Sequence, residues 1–134
     1  MNPIARMIET HPATPFVDAG ALAECIAACL ECAGTCTSCA DACLSEDSVA
    51  DLRSCITSNL NCADVCAATA RILTRIGTAK TPNVVAMLEA CRTACADCAT
   101  ECEAHAGHHE HCRVCAEACR RCEEACARLL AALG

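Results

Sequence analysis

The chain has 134 residues, of which 18 are Cys, whereas Trp and Tyr are absent and Phe occurs once. This length fits one domain, and the shortage of aromatic side chains means that other groups, the small thiols among them, must fill its interior. The formal net charge of −7 argues against a nucleic-acid partner, because binding to phosphates requires a surplus of Lys and Arg.

The first 17 residues predict a leader segment that precedes the main domain. Pro3 to about Thr10 is compatible with a short helix, and Pro12 and Pro15 fall in the link that follows. The segment has no apolar run of about 7–15 residues and no twin Arg, so we expect no signal peptide. No run of about 18 apolar residues occurs either, so we expect no membrane partner. These features predict a cytoplasmic protein, in which abundant reduced thiols indicate metal or redox chemistry.

Two helices are predicted from caps in the first half of the remaining sequence. Asp18 is a candidate N-cap for a helix that runs to about Ser45. Ser48, with Asp51 three residues later, resembles a capping box and predicts the start of the second helix. Gly77 stands where the left-handed residue after a helix belongs.

Two more helices follow from the same kind of signal. Thr81 followed by Pro82 predicts a cap and a first helical residue. The third helix should end near Ala106, Gly107 should interrupt it, and the fourth should span about 109–133. Four helices of similar length with short links predict an all-α fold, in which residues 18–134 form an antiparallel up-down-up-down four-helix bundle.

The Cys residues recur at spacings of three and four along these helices. At about 100° per residue, the six Cys of the first helix fall within a stripe about 80° wide. Such positions correspond to the a and d positions of heptads, which face partner helices. Asn59 occupies a stripe position, and we interpret it as a hydrogen-bonded core residue. The predicted metal ligands on the stripes are Cys25, Cys29, Cys32, Cys36, Cys39, Cys43, Cys55, Cys62, Cys66, Cys91, Cys95, Cys98, Cys102, Cys112, Cys115, Cys119, Cys122 and Cys126.

Several chemistries use this many thiols. Neighbouring Cys on one helix are poorly oriented for disulfides, although disulfides between facing helices stay possible in one oxidised register. Closed structural zinc sites take discrete sets of four ligands rather than continuous stripes. Thiolates also select Cu(I). Each Cu(I) ion accepts two sulfurs and each thiolate can bridge two ions, so about one ion per Cys is expected. The same number of monovalent ions would nearly neutralise the buried thiolates. A zinc or heavy-metal sequestering protein and an Fe–S electron carrier stay as alternatives. No pattern typical of an enzyme site stands out.

The two ends of the predicted bundle differ. Leu22, Leu73, Ile76, Val84, Leu88, Leu130 and Leu133 should gather at one end, which we call the apolar end. The opposite, histidine end carries the joint between the third and fourth helices, with His105, His108, His109 and the nearby His111. His105 continues a Cys stripe and is the best candidate ligand among them, and His108 and His109 are further candidates. We expect copper to enter and leave there.

The repeated CxxxCxxC helices, such as Cys25–Cys32 and Cys91–Cys98, together with the His cluster, resemble the bacterial cytosolic copper storage proteins over about residues 18–133. The resemblance implies several Cu(I) ions inside the bundle, His involvement at its entrance and a homotetramer. A copper chaperone or acceptor is a further candidate partner, and the sequence does not name it. The family has exported members with a twin-Arg signal. This chain shows no such signal and so resembles the cytosolic branch.

Overall fold

The computed structural model of the chain describes residues 2–75 and 81–134. Within them lie five α-helices: α1 (Pro3–Thr10), α2 (Ala19–Leu44), α3 (Arg53–Thr74), α4 (Pro82–His105) and α5 (Glu110–Leu133). The leader helix and the four long helices are therefore confirmed, each within two residues of the predicted bounds except for the start of α3. Gly77 and Ile76, for which the sequence predicted a helix end and an apolar contact, lie outside the described residues.

The helix caps agree with the sequence in part. The carboxylate of Asp18 accepts a hydrogen bond from the Ala21 backbone N–H at 2.9 Å, which caps α2 as predicted. The capping box at Ser48 is wrong, because the Ser48 side chain makes no capping hydrogen bond and a 3-10 turn, Val49–Leu52, precedes α3. In that turn the Asp51 N–H donates to the Ser48 carbonyl at 2.9 Å. The tight turn buries Leu52 completely and so anchors the link between α2 and α3.

The four long helices form an antiparallel bundle in which each helix packs against its two neighbours in the order α2, α3, α4, α5 and back to α2. Ala residues between the thiols, such as Ala63, Ala99 and Ala125, are also buried, and such small side chains leave the helices close together. The core is one continuous cluster that runs from thiols at the histidine end to aliphatic side chains at the apolar end.

The apolar end is closed by side chains from all four helices. Leu22, Leu73, Val84 and Leu88 are at most 4% exposed, as predicted, and Leu130 and Leu133 pack against the same core. Leu129 is fully buried there, although the sequence analysis did not select it. The leader contacts α2 and contributes partly buried Ile and Phe side chains to this cluster. Thus α1 covers the apolar end and leaves the histidine end uncovered.

Among residues 2–75 and 81–134, one helix, α2, is long and apolar enough to cross a membrane by length and composition. The core helix of a soluble protein passes the same test, so this finding is weak evidence. In the bundle, the six Cys that contribute to its apolar character are buried against the other helices.

Candidate metal centre

All 18 Cys are free and at most 2% exposed. Their Sγ atoms approach one another across helices at van der Waals distances, for example 3.6 Å between Cys36 and Cys119 and 3.7 Å between Cys29 and Cys122. Because a disulfide bond is about 2.05 Å long, these contacts are between separate thiols. The predicted stripes therefore converge on one sulfur-lined core.

The thiols form groups of four whose Sγ atoms all lie within 4.8 Å of one another. Successive groups overlap: Cys122 belongs to two of them, Cys32 belongs to two, and Cys36 and Cys119 are shared by a further pair. A thiolate that belongs to two groups can bridge two ions, so this arrangement suits a multinuclear cluster. Four of these groups are Cys29, Cys91, Cys122 and Cys126; Cys32, Cys66, Cys95 and Cys122; Cys32, Cys36, Cys62 and Cys119; and Cys36, Cys98, Cys115 and Cys119.

Asn59 is fully buried among thiols on α3, at the stripe position that the sequence analysis singled out. Its Oδ1 accepts S–H hydrogen bonds from Cys98 at 3.1 Å, Cys115 at 3.2 Å and Cys102 at 3.4 Å. Its Nδ2 donates to the Cys55 Sγ at 3.7 Å. The interpretation of Asn59 as a hydrogen-bonded core residue is confirmed, because both polar atoms of its buried amide have hydrogen-bond partners.

At the histidine end, the imidazole of His111 lies over the last thiols of the core. Its Nδ1 is 3.4 Å from the Cys39 Sγ and 3.7 Å from the Cys112 Sγ, and Cys43 completes a group of four ligand atoms within 4.8 Å of one another. On the other side of the ring, Nε2 is 2.8 Å from an Oε2 of Glu46. We call these residues, Cys39, Cys43, His111 and Cys112, the mouth group.

Glu46 joins two His residues at this end. The same Oε2 that meets His111 is 2.9 Å from Nδ1 of His109, and the two imidazole rings stack with centroids 5.5 Å apart. The hydrogen bond with His111, followed by the attraction to His109, holds the pKa of the Glu46 carboxyl below its usual value. Although partial burial lowers the pKa of His111, its hydrogen bonds with Cys39 and Glu46 outweigh this effect and raise it.

The His residues predicted as ligands occupy different environments. His105 lies 3.6 Å from Glu101 on the same helix, and His109 contacts Glu46, whereas His108 is exposed. Their roles as ligands stay predictions. The sequence analysis did not assign His111 as a ligand and did not select Glu46. One available signal was topology, since an antiparallel bundle brings the α2–α3 link that carries Glu46 to the same end as the α4–α5 joint.

Burial governs the protonation of Cys43 and Cys112, two of the three thiols in the mouth group. It raises the pKa of Cys43 to about 11 and raises the pKa of Cys112 above its usual value as well. Both side chains therefore carry protons at neutral pH when no metal is bound. Metal binding must displace those protons, which makes it dependent on pH.

The family model of the copper storage proteins (Csp) matches residues 18–131. The chain belongs to the copper storage protein family. A comparison with curated proteins found no match. The matched residues include all 18 Cys and the four long helices up to residue 131 of α5, so membership rests on the part of the chain that forms the site.

Solved structures of family members have the same fold. The copper storage protein Ccsp from Streptomyces lividans, in a structure loaded with 10 copper equivalents, is 55% identical; the match covers 96% of this chain and 98% of that chain, with a TM-score of 0.93. A second Streptomyces lividans structure, of a cytosolic copper storage protein with five coppers, is 59% identical, covers 86% and 96%, and has a TM-score of 0.84. The Cu(I)-bound copper storage protein BsCsp3 is 34% identical, covers 79% and 94%, and has a TM-score of 0.71.

Proposed function

We propose that this protein stores or buffers Cu(I) in the cytoplasm, with the thiolates of its 18 Cys as ligands and about one ion per Cys. The observation that carries the proposal is the single buried core of free thiols with shared groups of four. Its membership of the copper storage family and its similarity to cytosolic, copper-loaded relatives support both the ion and the compartment.

The overlapping groups favour Cu(I) over closed zinc sites in the interior. A thiolate shared by two groups, such as Cys32 or Cys122, cannot complete two separate tetrahedral sites without bridging them. Soft thiolates select Cu(I), and bridging lets the number of ions approach the number of sulfurs. Charge also favours a monovalent ion, because Cu(I) neutralises buried thiolates about one for one, whereas zinc at the same loading would leave a large positive excess.

Copper passes through the histidine end in this proposal. The apolar end is packed with buried Leu side chains and is covered by α1, whereas the histidine end presents partly exposed imidazoles above the thiols. His105, His108 and His109 would receive ions from solvent or from a copper chaperone and pass them inward. This is a binding role without turnover.

We also propose assembly into a homotetramer. Exposed aliphatic side chains on the outer faces of the bundle, Leu30, Leu44, Leu60 and Val114, support an interface between copies. Size-exclusion chromatography with light scattering measures the assembly, and a monomer at micromolar concentration would contradict it.

The deciding experiment is an anaerobic titration of the reduced protein with Cu(I) in the presence of a strong Cu(I) chelator. Saturation near one ion per Cys, with luminescence from a Cu(I)–thiolate core, is expected. Saturation near four ions would support zinc-type sites, and a brown protein that contains inorganic sulfide would support an Fe–S carrier. No protection from the chelator would refute storage.

A further inference from the structure

The mouth group differs from the interior thiol groups in its composition. It joins two Cys of α2, Cys39 and Cys43, to His111 and Cys112 in the first turn of α5. The four interior groups contain sulfur alone and share members with one another, whereas the mouth group shares no ligand with any of those four. One ion can therefore fill it without using a thiol that those groups need.

Two nitrogen–sulfur distances in the mouth group match those of a tetrahedral zinc site. With zinc–sulfur bonds of about 2.3 Å and zinc–nitrogen bonds of about 2.0–2.1 Å, a tetrahedron separates nitrogen from sulfur by about 3.6 Å. The His111 Nδ1 lies 3.4 Å from the Cys39 Sγ and 3.7 Å from the Cys112 Sγ. Three thiolates and one imidazole are also a common closed ligand set for structural zinc.

Glu46 supplies the outer support that such a site requires. A metal-bound His usually donates its second ring N–H to a carboxylate, which fixes both the tautomer and the orientation of the ring. The Glu46 Oε2 is 2.8 Å from the His111 Nε2, on the side of the ring away from the thiols. Glu46 therefore favours the tautomer in which Nε2 carries the hydrogen, and the Nδ1 lone pair then faces the three sulfurs.

We propose that the copper-free protein binds one Zn²⁺ at the mouth group and that Cu(I) displaces it when the core fills. Three Zn–S bonds and one Zn–N bond form. The S–H bonds of Cys43 and Cys112 break, the proton that Cys39 Sγ and His111 Nδ1 share is lost, and these three protons pass to solvent without electron transfer. The zinc holds α2 to the start of α5 and closes the histidine end while the interior is empty. This inference goes beyond copper storage, which does not depend on it.

The test uses the reduced full-length protein, free of copper and without oxygen. Zn²⁺ is titrated against a chromophoric zinc chelator, and we expect one equivalent to bind at least tenfold more tightly than any later one, with release of three protons. Co²⁺ at one equivalent should give the visible spectrum of a tetrahedral site with three thiolates and one nitrogen. Subsequent addition of Cu(I) should release the zinc.

Two variants and a control variant test whether the first Zn²⁺ binds at the mouth group. His111→Ala should weaken binding of the first Zn²⁺ by at least tenfold, and Glu46→Gln should weaken it about 10- to 100-fold, the usual effect of losing an outer-shell partner. His11→Ala in the leader should leave it unchanged. Circular dichroism confirms that each variant keeps its helices.

A four-sulfur Co²⁺ spectrum at one equivalent, or a first zinc affinity that His111→Ala does not alter, would overturn the inference. Zinc retained at full Cu(I) loading would overturn the displacement. The copper capacity of the same preparation separates copper storage from zinc binding at the mouth group. A capacity near one Cu(I) per Cys without a zinc ion at the mouth group would refute only the zinc inference.

Discussion

Replacing Asn59 with Cys tests whether the number of buried thiols sets the copper capacity. The Asn59 side chain is fully buried and lies within 3.4 Å of the thiols of Cys98, Cys102 and Cys115, so a sulfur at this position joins the core. With two bonds per Cu(I) and two ions per thiolate, one added sulfur should add about one ion.

The Asn59→Cys protein should fold. Asn and Cys are similar in volume, and the lost hydrogen bonds all involve thiols, which are weak partners. We therefore expect the free energy of unfolding to change by less than about 1.5 kcal/mol. This change is small compared with the total free energy of unfolding of a typical domain, about 5–15 kcal/mol. Urea denaturation of the reduced copper-free protein measures this change.

The matched control is Leu60→Cys, which adds a thiol one residue later on α3, at a position that is 45% exposed. Native mass spectrometry under anaerobic conditions, after treatment with a Cu(I) chelator, resolves single copper additions. Asn59→Cys should retain one ion more than the parent protein, and Leu60→Cys should retain the same number as the parent. No gain for folded Asn59→Cys, or an equal gain for both variants, would refute the link between capacity and core thiols.

Three further predictions concern the two ends. Leu88→Ala should lower the free energy of unfolding of the copper-free protein by about 3–5 kcal/mol, the usual cost of truncating a buried Leu side chain. The copper capacity measured by mass spectrometry should not change, and a lower capacity would contradict a purely structural role. Joint replacement of His105, His108 and His109 by Ala should slow copper uptake and removal in stopped-flow assays at nearly constant capacity, and a large capacity loss would refute an entrance role. Because burial raises the pKa of Cys43 to about 11, protons compete more strongly as pH falls, so copper retained against a chelator should decrease from about pH 8 to about pH 5; constant retention would contradict this.

The positions of the thiols could be predicted because helical phase alone determines which side of a helix a residue occupies. Cys25 and Cys126, on the first and last helices of the bundle, have Sγ atoms 3.9 Å apart, and each lies on a predicted stripe. The position of each residue could be predicted independently of the other, because the Cys stripe of every helix must face the same interior. The same reasoning placed Asn59 in the core.

The mouth could not be predicted in the same way, because it depends on how two links fold. His111 precedes the stripe residue Cys112 by one position, so helical phase alone does not place it in the core, and its ring reaches the thiols by turning over the first turn of α5. Glu46 lies two residues past the end of α2, in the link that continues into the 3-10 turn, and it meets His111 there. The capping box at Ser48 predicted a regular helix start and so missed that turn.

The difference between the two ends of the bundle determines the end through which ions can pass. Leu22, Leu73, Leu88 and Leu129 are each at most 2% exposed at the apolar end, so an ion crossing there would have to leave its thiolates and enter aliphatic side chains. That step strips a charge of its ligands and is strongly unfavourable. At the histidine end, His111 and the thiols offer a new ligand before the old one is lost. Ions should therefore enter and leave at one end, and whatever occupies the mouth group controls access to the copper behind it.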